Sequence, residues 1–133
     1  MNKVNKVKKE IITTLNAPAP IGPYNQAVKV GNTLYISGQI PLIPSTMELF
    51  SGTIKEEAQL VMEHLKAILE AANMTFENVV KSSIFLEDMG SFGEVNQVYG
   101  AYFDNETAPA RETVAVRTLP KNVRIEISMI AVK

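Results

Sequence analysis

The feature that most constrains the fold is a long amphipathic segment that begins at a helix-capping signal. Thr53 and Glu56 form the T-x-x-E pattern of a capping box, whose two side chains satisfy backbone N–H groups at a helix start. Apolar residues then recur at spacings of four and three: Ile54, Ala58, Val61, Leu65, Ile68 and Ala72. This period predicts a helix of about five turns that ends near Asn73. Such a helix needs an apolar surface to pack against.

Strand-forming segments before the helix can supply part of that surface. Two extended runs, residues 27–30 and 33–37, flank Gly31 and Asn32, and a glycine at the first turn position favours a type II′ hairpin. The preceding stretch, residues 16–24, contains three prolines, which keep the backbone out of a helix. We therefore expect an ordered loop followed by an antiparallel pair.

The remaining elements follow the helix. Residues 79–86 are rich in strand formers, and Ser91 and Glu94 form a second capping-box pattern before a shorter helix. Its apolar face is predicted to contain Phe92, Val95, Tyr99 and Tyr102. Two strands, 111–116 and 123–131, complete the order β-β-α-β-α-β-β. This order predicts an α+β fold with two helices on one face of a mostly antiparallel sheet.

The second face of the sheet also carries apolar residues. In the last strand the odd positions from Val123 to Ala131 form the face toward the helices. Ile130 and Val132, together with Val114 and Val116, then lie on the opposite face or at its edge. An interface between subunits would cover them.

Length and composition limit the classes of protein. The chain has 133 residues, of which 46% are hydrophobic and 20% charged, as expected for one globular domain. We assign residues 1–10 to a basic N-terminal tail and residues 11–133 to the domain. The formal charge of −1 and the scattered lysines and arginines argue against nucleic acid as a partner. No cysteine is present, and the single histidine excludes a multi-histidine metal site within one chain.

The N-terminus resembles neither a secretory signal nor a membrane anchor. Its lysine-rich residues lack an apolar run, and no later segment is long and apolar enough to span a membrane. We therefore expect a cytoplasmic protein without a membrane partner. An organelle presequence remains an alternative, although such segments favour arginine and serine.

Five segments in order resemble the RidA/YjgF family, the reactive intermediate deaminases. They read NAPAPIGPYNQAV, YISGQIPL, VNQVYGAYF, APARETVAV and LPKNVRIEISMIAV, and they extend from Asn16 to Val132. The most specific part is the Pro-Ala-Arg step at residues 109–111, followed by Ile-Glu-Ile at 125–127. The resemblance implies a chorismate-mutase-like fold, a homotrimer with ligand sites at the subunit interfaces, and neither cofactor nor metal.

The resemblance also implies a reaction. Family members hydrolyse 2-imino acids, such as 2-iminopropanoate and 2-iminobutanoate released by pyridoxal-phosphate enzymes, to 2-oxo acids and ammonia. Arg111 would then anchor the substrate carboxylate, which a planar guanidinium can bind through two parallel hydrogen bonds. Glu126, with the backbone near Thr113, would orient the attacking water. Tyr24, Ser37 and Asn96 match positions that line or support the pocket, Tyr24 from a neighbouring subunit.

Each of these residues also has a simpler interpretation. Arg111 could form a surface or interface salt bridge, and Glu126 could pair with Arg124 or Lys121. Asn96 could be a solvated helix residue or a local cap. His64 lies one step from the buried stripe of the first helix, which predicts a boundary or solvated histidine without a role.

Four further positions bear on the site. Gly22 and Gly38 are expected to serve backbone turns. Thr113 stands where many relatives have cysteine, and Glu112 where a small residue is usual. A carboxylate next to Arg111 could weaken anion binding, but strand alternation predicts that Glu112 points away.

Two other functions remain open. The same anion pocket could sense 2-oxo acids or bind a protein without turnover. A ribonuclease or translation inhibitor, a reading attached to some eukaryotic relatives, fits less well because there is no basic stripe and no histidine pair.

Overall fold

The computed structural model, which describes residues 6–133, contains six strands and two helices. The strands are β1 (Glu10–Ile12), β2 (Ala27–Val30), β3 (Thr33–Gln39), β4 (Val79–Leu86), β5 (Ala110–Ala115) and β6 (Ile125–Val132), and the helices are α1 (Ile54–Ala71) and α2 (Phe92–Gly100). They form one sheet in the order β1-β2-β3-β6-β4-β5. Among the strands of residues 6–133, only β4 and β5 run parallel. The predicted α+β, chorismate-mutase-like class with a mostly antiparallel mixed sheet is therefore confirmed.

The local signals around β2, β3 and α1 are confirmed. Gly31 has a φ of 59°, which an L side chain rarely adopts, at the turn that joins β2 to β3. Thr53 and Glu56 make both hydrogen bonds of the capping box, and α1 spans 18 residues. Asn73 adopts a left-handed φ of 58° just after α1. Within residues 6–133, no helix is long and apolar enough to cross a membrane.

The prediction of a second capping box at Ser91 and Glu94 is wrong. Ser91 has helical dihedrals, φ −84° and ψ −4°, and its side chain makes no capping bond. The reason lies upstream, where Asp88 accepts a hydrogen bond from the Gly90 N–H and caps a 3₁₀ turn at Met89–Ser91. That turn runs directly into α2, so Ser91 is already inside helical backbone.

The N-terminal end differs from the prediction as well. β1 pairs antiparallel with β2, and its three residues were too few to produce an alternating pattern. The predicted tail, residues 1–10, therefore overlaps the sheet at Glu10, and residues 1–5 of it lie outside the described part of the chain. Lys6 to Lys9 have no regular secondary structure and are exposed.

The core lies between α1 and the sheet. The alternating residues Ile125, Ile127 and Met129 of β6 are at most 2% exposed, as their period-2 pattern predicted. They pack in one cluster with Val61, Leu65 and their neighbours from α1. Burial of such a side chain stabilises the fold by about 2 kcal/mol. β6 is therefore the central strand against which α1 packs, between β3 and β4.

The prediction for His64 is wrong, because this side chain is only 1% exposed. Its Nε2 lies 2.8 Å from the carbonyl oxygen of Leu42, in the long loop between β3 and α1. That loop folds back beside α1, which a helical pattern alone does not reveal. Burial lowers the pKa of His64, so the neutral ring is favoured.

The face of the sheet opposite the helices carries several exposed apolar side chains. Tyr35 is 50% exposed, and Ile11, Val114 and Val132 are between 41% and 47% exposed. The register aligns Ile11, Val28, Tyr35 and Ile130 in one row across four strands. Large apolar side chains arranged in this way are typical of a surface that another protein covers.

Candidate functional site

Arg111 lies at the start of β5, at the edge of the sheet. It pairs with Ser82 of β4, and Thr113, two residues along, pairs with Ile84. Ser82 and Ile84 are buried on the helix side of the sheet, at 0% and 1% exposure. Alternation therefore places the side chains of Arg111 and Thr113 on that side, facing α2.

Residues of α2 hold the guanidinium of Arg111. Its Nη1 donates a hydrogen bond of 2.8 Å to Oδ1 of Asn96. Its Cζ lies 5.0 Å from the ring centroid of Tyr99 and 5.7 Å from that of Phe92. These three residues are spaced i, i+4 and i+7, so they share one face of the helix. Asn96 thus supports the arginine, and so do Phe92 and Tyr99, for which the sequence pattern predicts only packing.

No carboxylate within residues 6–133 pairs with Arg111, so the salt-bridge interpretation fails for the single chain. Glu112 points to the other side of the sheet, as predicted, and forms a salt bridge of 2.9 Å with Lys81. Hydrogen bonds from Ser83 and Lys81 lower the pKa of Glu112. The hydroxyl of Thr113 is buried without a hydrogen-bond partner among the described residues. We call Arg111, Thr113, Asn96, Phe92 and Tyr99 the arginine half-site.

The second group of predicted residues lines a cavity of about 390 Å³ between the proline-rich loop and β3. Tyr24 and Ser37 both contribute to its wall. Ser37 donates a hydrogen bond of 2.6 Å to the carbonyl of Asn25, and the Tyr24 hydroxyl accepts one from the Ile21 N–H. The register of β3 against β6 shifts between Ile36 and Gln39, which is the sign of a bulge. The bulge thus falls on the segment that contains Ser37.

Glu126 also lines this cavity, and its carboxylate lies against Gly38. A Cβ at Gly38 would overlap that carboxylate, so this glycine allows close approach and does not serve a turn as predicted. Glu126 forms no salt bridge with any described residue, neither with Lys121 nor with Arg124, which binds Glu57 at 2.7 Å. Burial raises the pKa of Glu126. We call Tyr24, Ser37, Gly38 and Glu126 the glutamate half-site.

The two half-sites lie on opposite faces of the sheet. Glu126 and Val114 both pair with Phe85, whereas Ile127 and Thr113 both pair with Ile84. Because successive side chains alternate, Glu126 projects from the face opposite that of Thr113 and Arg111. The single chain therefore brings Arg111 together with Asn96 and Thr113, and Glu126 together with Tyr24 and Ser37. It does not bring the two groups together.

One buried residue that sequence reasoning missed shapes the glutamate half-site. Gln26 is 2% exposed, and its side chain makes hydrogen bonds with the backbone of Thr14, Ala17 and Pro18. These bonds fix the loop that leads to Tyr24. The sequence signal for this role is a glutamine placed between a proline-rich loop and a strand. The loop carbonyls have no partner in regular secondary structure, so a side-chain amide next to them can supply the hydrogen bonds that they need.

Nothing in residues 6–133 forms a cluster of histidine, aspartate and glutamate that could hold a metal ion. What the residues provide is a cation held at a strand edge and a carboxylate in a cavity. The fold and these half-sites define a class: small chorismate-mutase-like α+β proteins with an ordered arginine on one sheet face and a half-buried glutamate on the other.

Comparisons with known proteins agree with this class. The family model described as Endoribonuclease L-PSP matches residues 14–133. A RutC family protein of Pyrococcus horikoshii is 52% identical over 94% of this chain and 98% of its own length. The 2-iminobutanoate/2-iminopropanoate deaminase of Mus musculus is 45% identical over 98% of this chain and 96% of its own length. The crystal structure of E. coli TdcF with bound serine has a TM-score of 0.86 and 40% identity, and covers 93% of this chain and 98% of that one.

The chain therefore belongs to the RidA/YjgF family, whose matching model bears the endoribonuclease description. Its relatives have several names, among them RutC family protein and deaminase.

Proposed function

We propose that this protein hydrolyses reactive 2-imino acids, with 2-iminopropanoate and 2-iminobutanoate as substrates, to 2-oxo acids and ammonia. The observation that carries the proposal is the state of Arg111. Its guanidinium is ordered by Asn96 and Tyr99, yet no carboxylate of residues 6–133 neutralises it. A held and unneutralised guanidinium is suited to bind a carboxylate through two parallel hydrogen bonds. The deaminase relative at 45% identity supports the substrate class.

The ligand of a structural relative supports the same class. E. coli TdcF, with a TM-score of 0.86, contains bound serine. Serine has a carboxylate next to a carbon that bears nitrogen, and a 2-imino acid has the same arrangement. A pocket that accommodates one therefore has the polar groups that the other needs.

In the proposed reaction a water oxygen adds to the imine carbon while Glu126 accepts a proton from that water. The substrate reacts as the iminium ion, so its nitrogen takes the electron pair of the C=N bond and a neutral carbinolamine forms. Protonated Glu126 then returns its proton to that nitrogen, the C–N bond breaks to release ammonia, and the hydroxyl proton passes to the ammonia as the C=O bond of the 2-oxo acid forms. Burial raises the pKa of Glu126, which makes its carboxylate a stronger base than an exposed glutamate. Imines already react with water, so a thousandfold acceleration, about 4 kcal/mol, suffices.

We further propose that a homotrimer completes the site. Arg111 and Glu126 occupy opposite faces of one sheet, so a substrate that touches both requires a second copy of the chain. The exposed Tyr35 and Val132, with the partly buried Ile130 that pairs with Tyr35, are available for that contact. In this arrangement the arginine half-site of one copy meets the glutamate half-site of its neighbour, with Tyr24 reaching across the interface. A cytoplasmic location and supply of the imines by pyridoxal-phosphate enzymes belong to the same proposal.

The test couples the purified protein to a threonine dehydratase, which releases 2-iminobutanoate, while semicarbazide competes for the imine. Wild type should accelerate 2-oxobutanoate formation, and Arg111→Ala should lower kcat/KM by about a hundredfold, as expected for loss of a charge-assisted anchor. Arg117→Ala is the matched control because Arg117 is an exposed arginine just beyond β5. Equal rates for wild type and Arg111→Ala would remove Arg111 from the mechanism.

The alternative function is a non-catalytic module that binds 2-oxo acids. It uses the same anion contacts and differs only in turnover. If the wild type bound 2-oxobutanoate but released no ammonia above the uncatalysed rate, this alternative would replace the hydrolase.

A further inference from the structure

We propose that Tyr99, held in place by Ser82, is a positioning residue that orients the guanidinium of Arg111 for carboxylate binding. This inference rests on the proposed function, because it assigns Tyr99 a part in the same anion site. Tyr99 belongs to the aromatic stripe of α2, whose spacing alone indicates packing.

The geometry connects three residues in a chain. Arg111 Cζ lies 5.0 Å from the Tyr99 ring centroid, within the range of a cation–π interaction. The Tyr99 hydroxyl donates a hydrogen bond of 2.9 Å to Oγ of Ser82. Ser82 in turn lies directly beside Arg111 in the paired strands β4 and β5. The ring is therefore attached to the strand next to the one that carries the arginine.

Both ends of this connection are rigid. Tyr99 is 5% exposed and Ser82 is 0% exposed, so neither side chain has room to change rotamer. Burial raises the pKa of Tyr99, so its phenol stays protonated and can donate to Ser82. Arg111 itself is only half-buried. A long cationic side chain at a sheet edge thus gains its order from a buried ring.

Such order matters for binding because arginine has several rotatable bonds. A free side chain would lose that freedom when it binds a carboxylate, and the loss would weaken affinity. Asn96 occupies one N–H group of the guanidinium, and the Tyr99 ring limits its remaining motion. The side chain is then arranged before the ligand arrives.

The competing interpretation is that Tyr99 only fills the core, since its ring also packs 4.7 Å from that of Phe103. A packing role predicts lower stability after substitution but no specific effect on Arg111. Two measurements separate the roles, one without ligand and one with it.

The first measurement follows the Nε–H signals of the arginines by ¹⁵N NMR. The chain has three arginines, so Arg111→Lys identifies the Arg111 signal by its loss. We expect a well-ordered Nε–H in wild type and a mobile one in Tyr99→Leu. Ser82→Ala and Tyr99→Phe, which keep the ring and remove only the hydrogen bond, should give intermediate order and avoid the risk that Tyr99→Leu fails to fold.

The matched control is Tyr102→Phe. Tyr102 follows Tyr99 by three residues and donates its hydroxyl to Glu63 at 2.8 Å, not to Ser82. This variant should leave the Arg111 signal unchanged. Unchanged Nε–H order in the folded Tyr99 and Ser82 variants would overturn the positioning role, whatever the activity of the protein.

The second measurement titrates 2-oxobutanoate into four proteins: wild type, Tyr99→Leu, Arg111→Ala and the double variant. Loss of a cation–π contact at a half-buried site should weaken binding about 5- to 30-fold in the wild-type background. In the Arg111→Ala background the same substitution should have no further effect, because residues that act through one another are not additive. Equal effects in both backgrounds would overturn the inference alone. If wild type neither bound 2-oxobutanoate nor hydrolysed imines, the proposed function would fail, and the carboxylate role of Tyr99 with it.

Discussion

Substitution of Gln26 by leucine should destabilise the protein through the loop that it holds. The Gln26 side chain accepts a hydrogen bond from the Thr14 N–H at 2.8 Å, and its Nε2, which has two N–H donors, lies 2.9 to 3.2 Å from three carbonyls, those of Thr14, Ala17 and Pro18. The bonds to Ala17 and Pro18 are fully buried. Leucine has a similar volume, so the change removes the polar contacts and creates little empty space.

The magnitude follows from the groups left unpaired. A buried donor or acceptor that loses its partner costs about 1–3 kcal/mol. In Gln26→Leu the carbonyls of Ala17 and Pro18 stay buried without a hydrogen-bond partner. The N–H and carbonyl of Thr14 are only partly buried and can form hydrogen bonds with water instead. We therefore expect a loss of about 2–5 kcal/mol in the free energy of unfolding. Because Gln26 and Tyr24 line the same cavity, affinity for 2-oxo acids should fall as well.

Urea unfolding at a fixed protein concentration measures this loss, provided that the m-value stays constant. Gln39→Leu is the matched control, since Gln39 is 5% exposed and its side chain makes one hydrogen bond, to the carbonyl of Ser37. It should cost no more than about 1.5 kcal/mol. A Gln26→Leu variant within about 1 kcal/mol of wild type would refute the argument that this glutamine holds the loop.

Three further predictions concern ionisation and backbone conformation. Glu126 has a raised folded pKa, so its contribution to stability is greatest below its usual pKa of 4.5 and is lost as the pH rises. Glu126→Gln should therefore be inactive and, at pH 7, more stable than wild type. Urea unfolding at pH 7 and at pH 4 measures this, and the difference in stability between variant and wild type should be smaller at pH 4. His64 has a lowered folded pKa, so wild type should lose stability as the pH falls below 6.5, and His64→Gln should lose less between pH 7 and pH 5. Lys121 has a φ of 56°, so Lys121→Gly should raise the thermal midpoint, whereas a fall would contradict strain at this turn.

Local sequence signals predicted the elements whose residues interact with near neighbours in the chain. The capping box of α1, the turn at Gly31 and the left-handed Asn73 all depend on a few consecutive residues. The capping-box prediction at Ser91 was wrong for a related reason. Its pattern matched a capping box, but the helical turn capped by Asp88 already included it.

Long-range contacts could not be predicted in the same way. The burial of His64 depends on Leu42, 22 residues earlier, and the role of Gly38 depends on Glu126 in another strand. The chemistry of Arg111 was predicted from family resemblance, whereas its support by Tyr99 requires the packing of α2 on the sheet. Strand alternation did predict that Glu112 points away from Arg111, because that period is a property of the backbone.

The central claim is that Arg111 and Glu126 act together across an interface, and complementation between two inactive variants tests it directly. Arg111→Ala and Glu126→Gln chains are co-expressed in equal amounts, purified as mixed oligomers and assayed for 2-iminobutanoate hydrolysis. If each site takes Arg111 from one copy and Glu126 from its neighbour, random mixing leaves both intact in about one site in four. The mixed oligomers should therefore show about a quarter of wild-type activity. Activity no higher than that of the separate variants would contradict it.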